Sequence, residues 1–550
     1  MTHFGSHGDY SPHRRHRSPS RTFVSVVAAL AVIVGGGYWV YSSLIADEEA
    51  ENPQVAAAKG ELEKFLDAWE AGDAQRAGRL TDTPGNAQSL ITSVMTNLKP
   101  SRTEISTGAG KKKAEGEMDF PFTVKMALPG VGDYSWGSKA KVVESSGAWK
   151  VEFQTTMVHP GMVAGQTLAL KSRDRAAILD ASGDELRSAS LVGMTDPATG
   201  KGVSGLQARY DKQLTGGSGP SKSVVVVDRQ SGQVVKKLTG TEASPGKPVR
   251  TTIDPEVQEA AAEALGAVKK NAAIVAVDPS SGHILAAANV PSGMNRALEG
   301  RYPPGSTFKV VTAAALLKQG MKPSDRGECP KFAYANGQRF ENQDKFVLPA
   351  GSTFRDNFAH SCNTFFVNSR ARLSESSLHD TAGAFGIGGA WDVGAATYDG
   401  SVPVATSDND KAASTIGQAR VQTSPLAMAS VAATVKEGVF KQPVLVPDAV
   451  KKRYEAPARL DAGVVESLRS MMRATVTDGA GWALKGIQGE PHAKTGTAEF
   501  GDETPPRTHA WMIGYQGDRN LAWSVLLEDG GSGGSDAGPV AAKFLENLVG

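Results

Sequence analysis

A serine hydroxyl becomes a nucleophile when a neighbouring base can take its proton, and two residues three apart on a helix share a face. Ser-x-x-Lys has that spacing, and it occurs at Ser138/Lys141, Ser244/Lys247 and Ser306/Lys309. Ser138 lies in a stretch that reads as a strand, where positions i and i+3 face opposite sides, and Ser244 precedes Pro245-Gly246, which breaks a helix. Ser306 follows Pro303-Pro304-Gly305 and opens an apolar run, Phe308, Val310, Val311 and Ala313 to Leu317. It is therefore expected at the positive end of a helix, with Lys309 one turn along. A second polar element is needed to relay the proton, and Ser-x-Asn occurs at Ser361-Cys362-Asn363 and Ser407-Asp408-Asn409. The later one sits in an acidic, solvated loop, whereas Ser361 precedes Thr364-Phe365-Phe366-Val367, which would hold it in a core; Ser361 and Asn363 are favoured. The third element is Lys494-Thr495-Gly496-Thr497. On an exposed strand, Gly496 would let substrate backbone approach, while Lys494, Thr495 and Thr497 present a cation and two hydroxyls to a carboxylate.

These residues need a frame. Over 53–159, Leu62, Phe65, Leu66, Trp69, Ala77 and Leu80 recur at helical spacing, followed by strands over 120–128, 134–143 and 149–154: a small α+β unit with its aromatics in the core. Residues 160–247 read as an irregular connecting module with one strand at 223–228. From 248 to 550 a single large domain opens with a helix at Pro255 capped by Asp254 and a hairpin turning at Asp278 to Gly282. It closes with strands over 510–515 and 521–527 and a helix over 539–548.

Charge sets the topology. Lys+Arg 59 against Asp+Glu 58 makes the whole chain near neutral, which excludes the basic polymer that binds nucleic acid. Residues 1–21 carry a net +3, and Thr22 to Ala46 run 25 residues without a charge, enough for a helix of about 37 Å across a hydrocarbon core of about 30 Å. An uncleaved single-pass anchor with a cytoplasmic basic tail and an extracytoplasmic bulk is expected. Cys329 and Cys362 are the only cysteines, so a disulfide framework is excluded and one bridge is possible. No HExxH motif or Cys/His cluster occurs, and no metal or cofactor is expected.

The ordered set Ser306-x-x-Lys309, Ser361-x-Asn363 and Lys494-Thr495-Gly496 resembles that of the penicillin-binding proteins and serine β-lactamases. Arg301 to Lys309, Ser361 to Thr364, Ile416-Gly417-Gln418 and the opening strand, helix and hairpin look like a class B transpeptidase domain over 248–550. Residues 53–159, with Trp149-Lys150-Val151 and His159-Pro160, look like the nuclear-transport-factor-like domain of methicillin-resistance-type penicillin-binding proteins, and 160–247 like a short β-rich pedestal or dimerisation-like linker. The resemblance implies a multidomain protein: one membrane helix, a cone-like α+β domain, a pedestal and a large α/β transpeptidase-like domain. It also implies a serine-type D-Ala-D-Ala transpeptidase acting through a Ser306 acyl-enzyme, with Lys309 as base, Ser361 as proton shuttle, Asn363 orienting Lys309, and Lys494, Thr495 and Thr497 holding the terminal carboxylate. Its partners would be peptidoglycan stem peptides, β-lactams and a membrane glycosyltransferase of the shape, elongation, division and sporulation family. A β-lactamase would need a deacylating base, and no Glu between Cys362 and Lys494 is followed four residues later by Asn, so slow deacylation is expected. A D,D-carboxypeptidase, or a non-enzymatic β-lactam sensor or assembly scaffold, would share the fold.

Overall fold

The computed structural model describes residues 53–217, 220, 222–239 and 246–549. The basic tail, the spanning helix and Ser244 lie outside them, and no helix among the described residues is long and apolar enough to cross a membrane. Where spacing suggested one helix reaching Leu80, there are two, α1 Pro53–Glu70 and α2 Ala74–Arg79. Asp73 divides them, accepting from Arg76 N at 2.9 Å to cap the second. A further helix, α3 Pro84–Leu98, was outside the expectation, although Pro84 in its first turn and the spacing of Leu90, Ile91, Val94 and Leu98 mark it. The five strands β1 Arg102–Thr107, β2 Lys111–Ala114, β3 Glu117–Leu128, β4 Gly132–Ser145 and β5 Ala148–Glu152 form one antiparallel sheet. Phe120, Phe122 and Val124 alternate with neighbours that are less buried, sharing a core with Leu62, Phe65 and Trp69 of α1.

The stretch 160–247 serves two cores. Strands β6 Gln166–Ser172, β7 Lys222–Asp228 and β8 Val234–Lys237 form a sheet whose Leu168, Val224 and Val226 join the N-terminal core. The intervening Ile178, Leu186, Leu191 and Leu214 join the core of the C-terminal half instead.

That half begins as its sequence implies, with Asp254 capping α4 Pro255–Gly266 and the hairpin β9 Ala272–Val277 and β10 Ile284–Val290. The helices that bear on the site are α5 Lys309–Lys318, α6 Phe354–Ala359, α7 Asn363–Ser369, α8 Pro425–Glu437 and α9 Ala462–Thr477. A small hairpin, β11 Phe332–Ala335 and β12 Gln338–Glu341, precedes α6. The chain ends with β13 Pro491–Phe500, β14 Arg507–Gln516, β15 Ala522–Leu527 and α10 Gly538–Asn547. The sheet runs β10-β9-β15-β14-β13, with every neighbouring pair antiparallel. Alternation splits it between two cores: Ala273, Val275, Trp511 and Ile513 face α5 and α8, while Ala272, Ile274, Met512 and Trp523 face α4 and α10. Among the described residues no further strand pairs with the outer side of the edge strand β13.

Candidate active site

Ser306 sits in a 3-10 turn, Gly305–Phe308, that leads into α5 rather than in the α-helix itself. The turn is fastened from several sides. Gly305 N donates to Gly417 O at 3.0 Å, Tyr302 exchanges backbone hydrogen bonds of 2.9 and 2.8 Å with Thr423, and Trp511 Nε1 donates to Pro303 O at 3.1 Å. Gly305 has φ +53°, and a Cβ there would lie 2.5 Å from Thr497 O, so glycine is what lets the turn close on β13. Beside it, Glu528 accepts from Tyr302 OH, from Arg296 Nε at 2.8 Å and from Asn271 Nδ2 at 2.8 Å. Burial works to raise the pKa of this carboxyl, but those hydrogen bonds and the Arg296 charge hold it below the usual range.

Lys309 is fully buried. Its Nζ donates to Asn363 Oδ1 at 2.6 Å, to Ser361 O at 2.8 Å and to Ser361 Oγ at 3.3 Å. Ser306 Oγ donates to the same Asn363 Oδ1 at 3.4 Å, so hydroxyl and amine converge on one acceptor. Ser361 has φ +61°, a region that residues with a side chain seldom occupy, and in it both its carbonyl and its hydroxyl meet Lys309. Cys362, the next residue, is joined to Cys329 in a disulfide with Cα atoms 6.1 Å apart, which answers the question the sequence left open. Its Sγ also caps α7 by accepting from Phe365 N at 3.3 Å. Ser407, of the other Ser-x-Asn, caps the helix Asp408–Ser414 and has no part in this cluster.

One expectation about the third motif needs correction. Its strand is at the sheet edge, yet Lys494 is fully buried rather than exposed, its Nζ donating to Thr495 O at 3.1 Å and lying 5.5 Å from the centre of the Phe358 ring. Burial lowers the Lys494 pKa to about 7, and burial followed by the charge of Lys494 takes Lys309 well below the ordinary lysine value. Gly496 also has a close neighbour within the protein. A Cβ there would lie 2.8 Å from Thr307 Cγ2 and 2.9 Å from Pro304 O, so the Gly305–Phe308 turn packs directly against it. Thr497 Oγ1 accepts from Gly533 N at 3.2 Å and donates to Gln343 Oε1 at 3.3 Å. With its amide oriented to satisfy both ends, Gln418 exchanges hydrogen bonds of 2.8 and 3.2 Å with the Glu499 backbone, tying the Ile416-Gly417-Gln418 segment to β13 as well as to the turn.

The structure thus brings together Ser306, Lys309, Ser361, Asn363, Lys494, Thr495, Gly496 and Thr497 from three distant segments. Sequence reasoning missed Glu528 and Gln343. Nothing local marks Glu528, but the Asn336-Gly337 turn announces the hairpin that leads Gln343 to the site.

The family described as penicillin binding protein transpeptidase domain matches residues 272–546, and that described as NTF2-like N-terminal transpeptidase domain matches 57–166. The peptidoglycan D,D-transpeptidase PbpA of Mycolicibacterium smegmatis is 32% identical, over 56% of this chain and 73% of its own length. The enzyme of the same name from Mycobacterium tuberculosis is 31% identical, over 56% and 74%. The solved structure of penicillin-binding protein A from M. tuberculosis as its penicillin G acyl-enzyme complex is 25% identical with a TM-score of 0.57, covering 69% of this chain and 100% of that one. The chain belongs to the penicillin-binding protein transpeptidase family. Within that class it is a serine-type peptidoglycan D,D-transpeptidase.

Proposed function

We propose that Ser306 is the nucleophile, that it is acylated by the penultimate D-alanyl carbonyl of a peptidoglycan stem peptide, and that the acyl group passes to an amine of a neighbouring stem. The observation that carries this is the convergence of Ser306 Oγ and Lys309 Nζ on Asn363 Oδ1. Lys309 acts as base because burial and the nearby Lys494 disfavour its charged form. Ser306 Oγ forms a bond to the carbonyl carbon while its proton passes to Lys309. Collapse of the tetrahedral intermediate breaks the peptide bond, and the proton reaches the departing D-alanine nitrogen through Ser361. The acceptor amine then attacks the ester carbonyl, and as the bond to Ser306 Oγ breaks a proton of the amine passes through Lys309 to that oxygen, which completes the cross-link and restores the serine. Lys494, Thr495 and Thr497 hold the donor carboxylate, whose negative charge would favour protonation of Lys494 on binding. The backbone N–H groups of Ser306 and Thr497 form the oxyanion hole, each worth on the order of 3 kcal/mol, a placement supported by the closure of the Gly305 turn on Thr497.

β-Lactams acylate the same serine and are released slowly. The chain acts from the membrane, anchored by Thr22 to Ala46 with its N-terminus cytoplasmic, beside a peptidoglycan glycosyltransferase that supplies the glycan strands. Labelling of the full chain with a fluorescent penicillin tests the catalytic assignment: wild type labels and Ser306→Ala does not, and equal labelling of the two would overturn it. A donor stem peptide with and without an added amine separates the acceptors, cross-linked product being expected with the amine and free acid alone pointing to a carboxypeptidase.

A further inference from the structure

The cleft has a third wall beyond the two that the motifs build. The hairpin β11–β12 reaches it at two points: Glu341 O accepts from Asn363 Nδ2 at 2.9 Å, and two residues on, Gln343 Oε1 accepts from Thr497 Oγ1 at 3.3 Å. One short segment therefore touches both the relay asparagine and the hydroxyl placed against the donor carboxylate.

Its backbone is held firmly. Asn342 is buried, its Nδ2 donates to Phe346 O at 2.8 Å and to Pro330 O at 3.0 Å, and its Oδ1 accepts from Thr364 N at 3.1 Å. Asp344 and Lys345 follow with φ +53° and +55°, a pair of left-handed residues that reverses the chain directly after Gln343. Gln343 itself is exposed, so the fold does not lean on its side chain. The pattern is a rigid mount with a solvent-facing amide at its tip, aimed at Thr497.

We propose that Gln343 is a specificity-determining residue for the donor, its Nε2 hydrogen-bonding the terminal carboxylate held by Thr497. This rests on the reading of Thr497 as a carboxylate ligand. Thr497 Oγ1 has a single proton, which Gln343 Oε1 accepts in the free site; once the donor carboxylate takes that proton, the amide turned end for end offers Nε2 to the same carboxylate, and among the described residues nothing engages its Nε2 protons in the free site. A hydrogen bond to a charged acceptor is roughly twice as strong as one to a neutral acceptor, so Gln343 favours donors with a free terminal carboxylate over esters and amides.

The test is the acylation rate of the full chain by benzylpenicillin and by its methyl ester, resolved into the binding constant and the limiting rate. Gln343→Ala is expected to weaken binding of the acid by roughly ten- to hundredfold, the range of one hydrogen bond to a charged group, with the limiting rate unchanged and the ester altered less than about twofold. Gln343→Glu, which sets a second carboxylate against the first, is expected to weaken the acid further than Gln343→Ala does while sparing the ester. Unchanged or tighter binding of the acid in Gln343→Ala overturns the proposal, as does an equal fall for acid and ester. Failure of the underlying reading looks different: wild type would resist acylation by the acid, or Ser306→Ala would still be labelled.

Discussion

Two parts of the molecule bury a titratable side chain among aromatic rings, with different results. In the N-terminal unit, His159 lies against Tyr134 and Trp136; its Nδ1 accepts from Gly161 N at 2.9 Å and its Nε2 pairs with Tyr134 OH at 2.8 Å. Burial first, and the charge of Lys236 second, lower the pKa of His159 to about 4, while burial pushes Tyr134 up to about 12. Both ring nitrogens have partners supplied by segments close along the chain, and the neutral pair is a finished structural joint. In the C-terminal half, Lys309 and Lys494 lie over Phe366 and Phe358 and are also desolvated, but Lys309 feels the charge of Lys494 as well and shares its acceptor with a hydroxyl. A lowered pKa is thus common to both regions. What distinguishes the site is that its partners come from three remote segments and leave a proton with somewhere to go.

Predictions that break or sharpen this contrast start with the largest. Lys309→Met should lower the acylation rate by about 10³-fold or more, within the range for loss of a general base, whereas Tyr134→Phe should leave labelling unchanged; a labelling defect in Tyr134→Phe would erase the distinction. Next comes the brace beside the relay. Because Cys329 and Cys362 are 33 residues apart, replacing both with Ala should cost about 3–4 kcal/mol, read by denaturant unfolding. The third concerns pH. With a folded pKa of about 7, below its unfolded value of about 10.5, Lys494 gives the unfolded chain more bound protons between those limits, so its contribution to stability rises with pH across that window. Lys494→Met should therefore be most stabilising below pH 7, its advantage shrinking by about 1.4 kcal/mol per unit above it, as thermal melts at pH 6 and pH 9 would show. The smallest effect is in the N-terminal joint, where Tyr134→Phe should cost about 1 kcal/mol of stability, the worth of one hydrogen bond.

The chemistry was far more legible than the frame. Motifs carry residue type and short spacing, and the Ser306 helix, the choice of Ser361 over Ser407 and the Lys494 strand all follow from those. The deep burial of Lys494 was not readable, because Phe358, which lies under it, comes from a helix more than a hundred residues earlier. Nor was the role of Gly496, since the turn that crowds it is nearly two hundred residues away. In the N-terminal half α3 and the strands β1, β2, β6 and β8 lie outside the expectation, although α3 carries its own signals; the Gly-, Ser- and Lys-rich composition around β6 masked a strand whose Leu168 joins the N-terminal core.

The order of strands in the large sheet also sets a schedule. β9 is made early, yet its inner partner is β15, some 250 residues later, and Ser306 meets its third motif only when β13 lies down beside β14. During synthesis Ser306, Lys309 and Ser361 all emerge before the strand that completes their cluster. A nascent or shortened chain lacking residues past 490 therefore holds Ser306 without the wall that Gly496 and Thr497 set against it, so completion of the site is tied to the final stretch of the polypeptide and to long-range pairing.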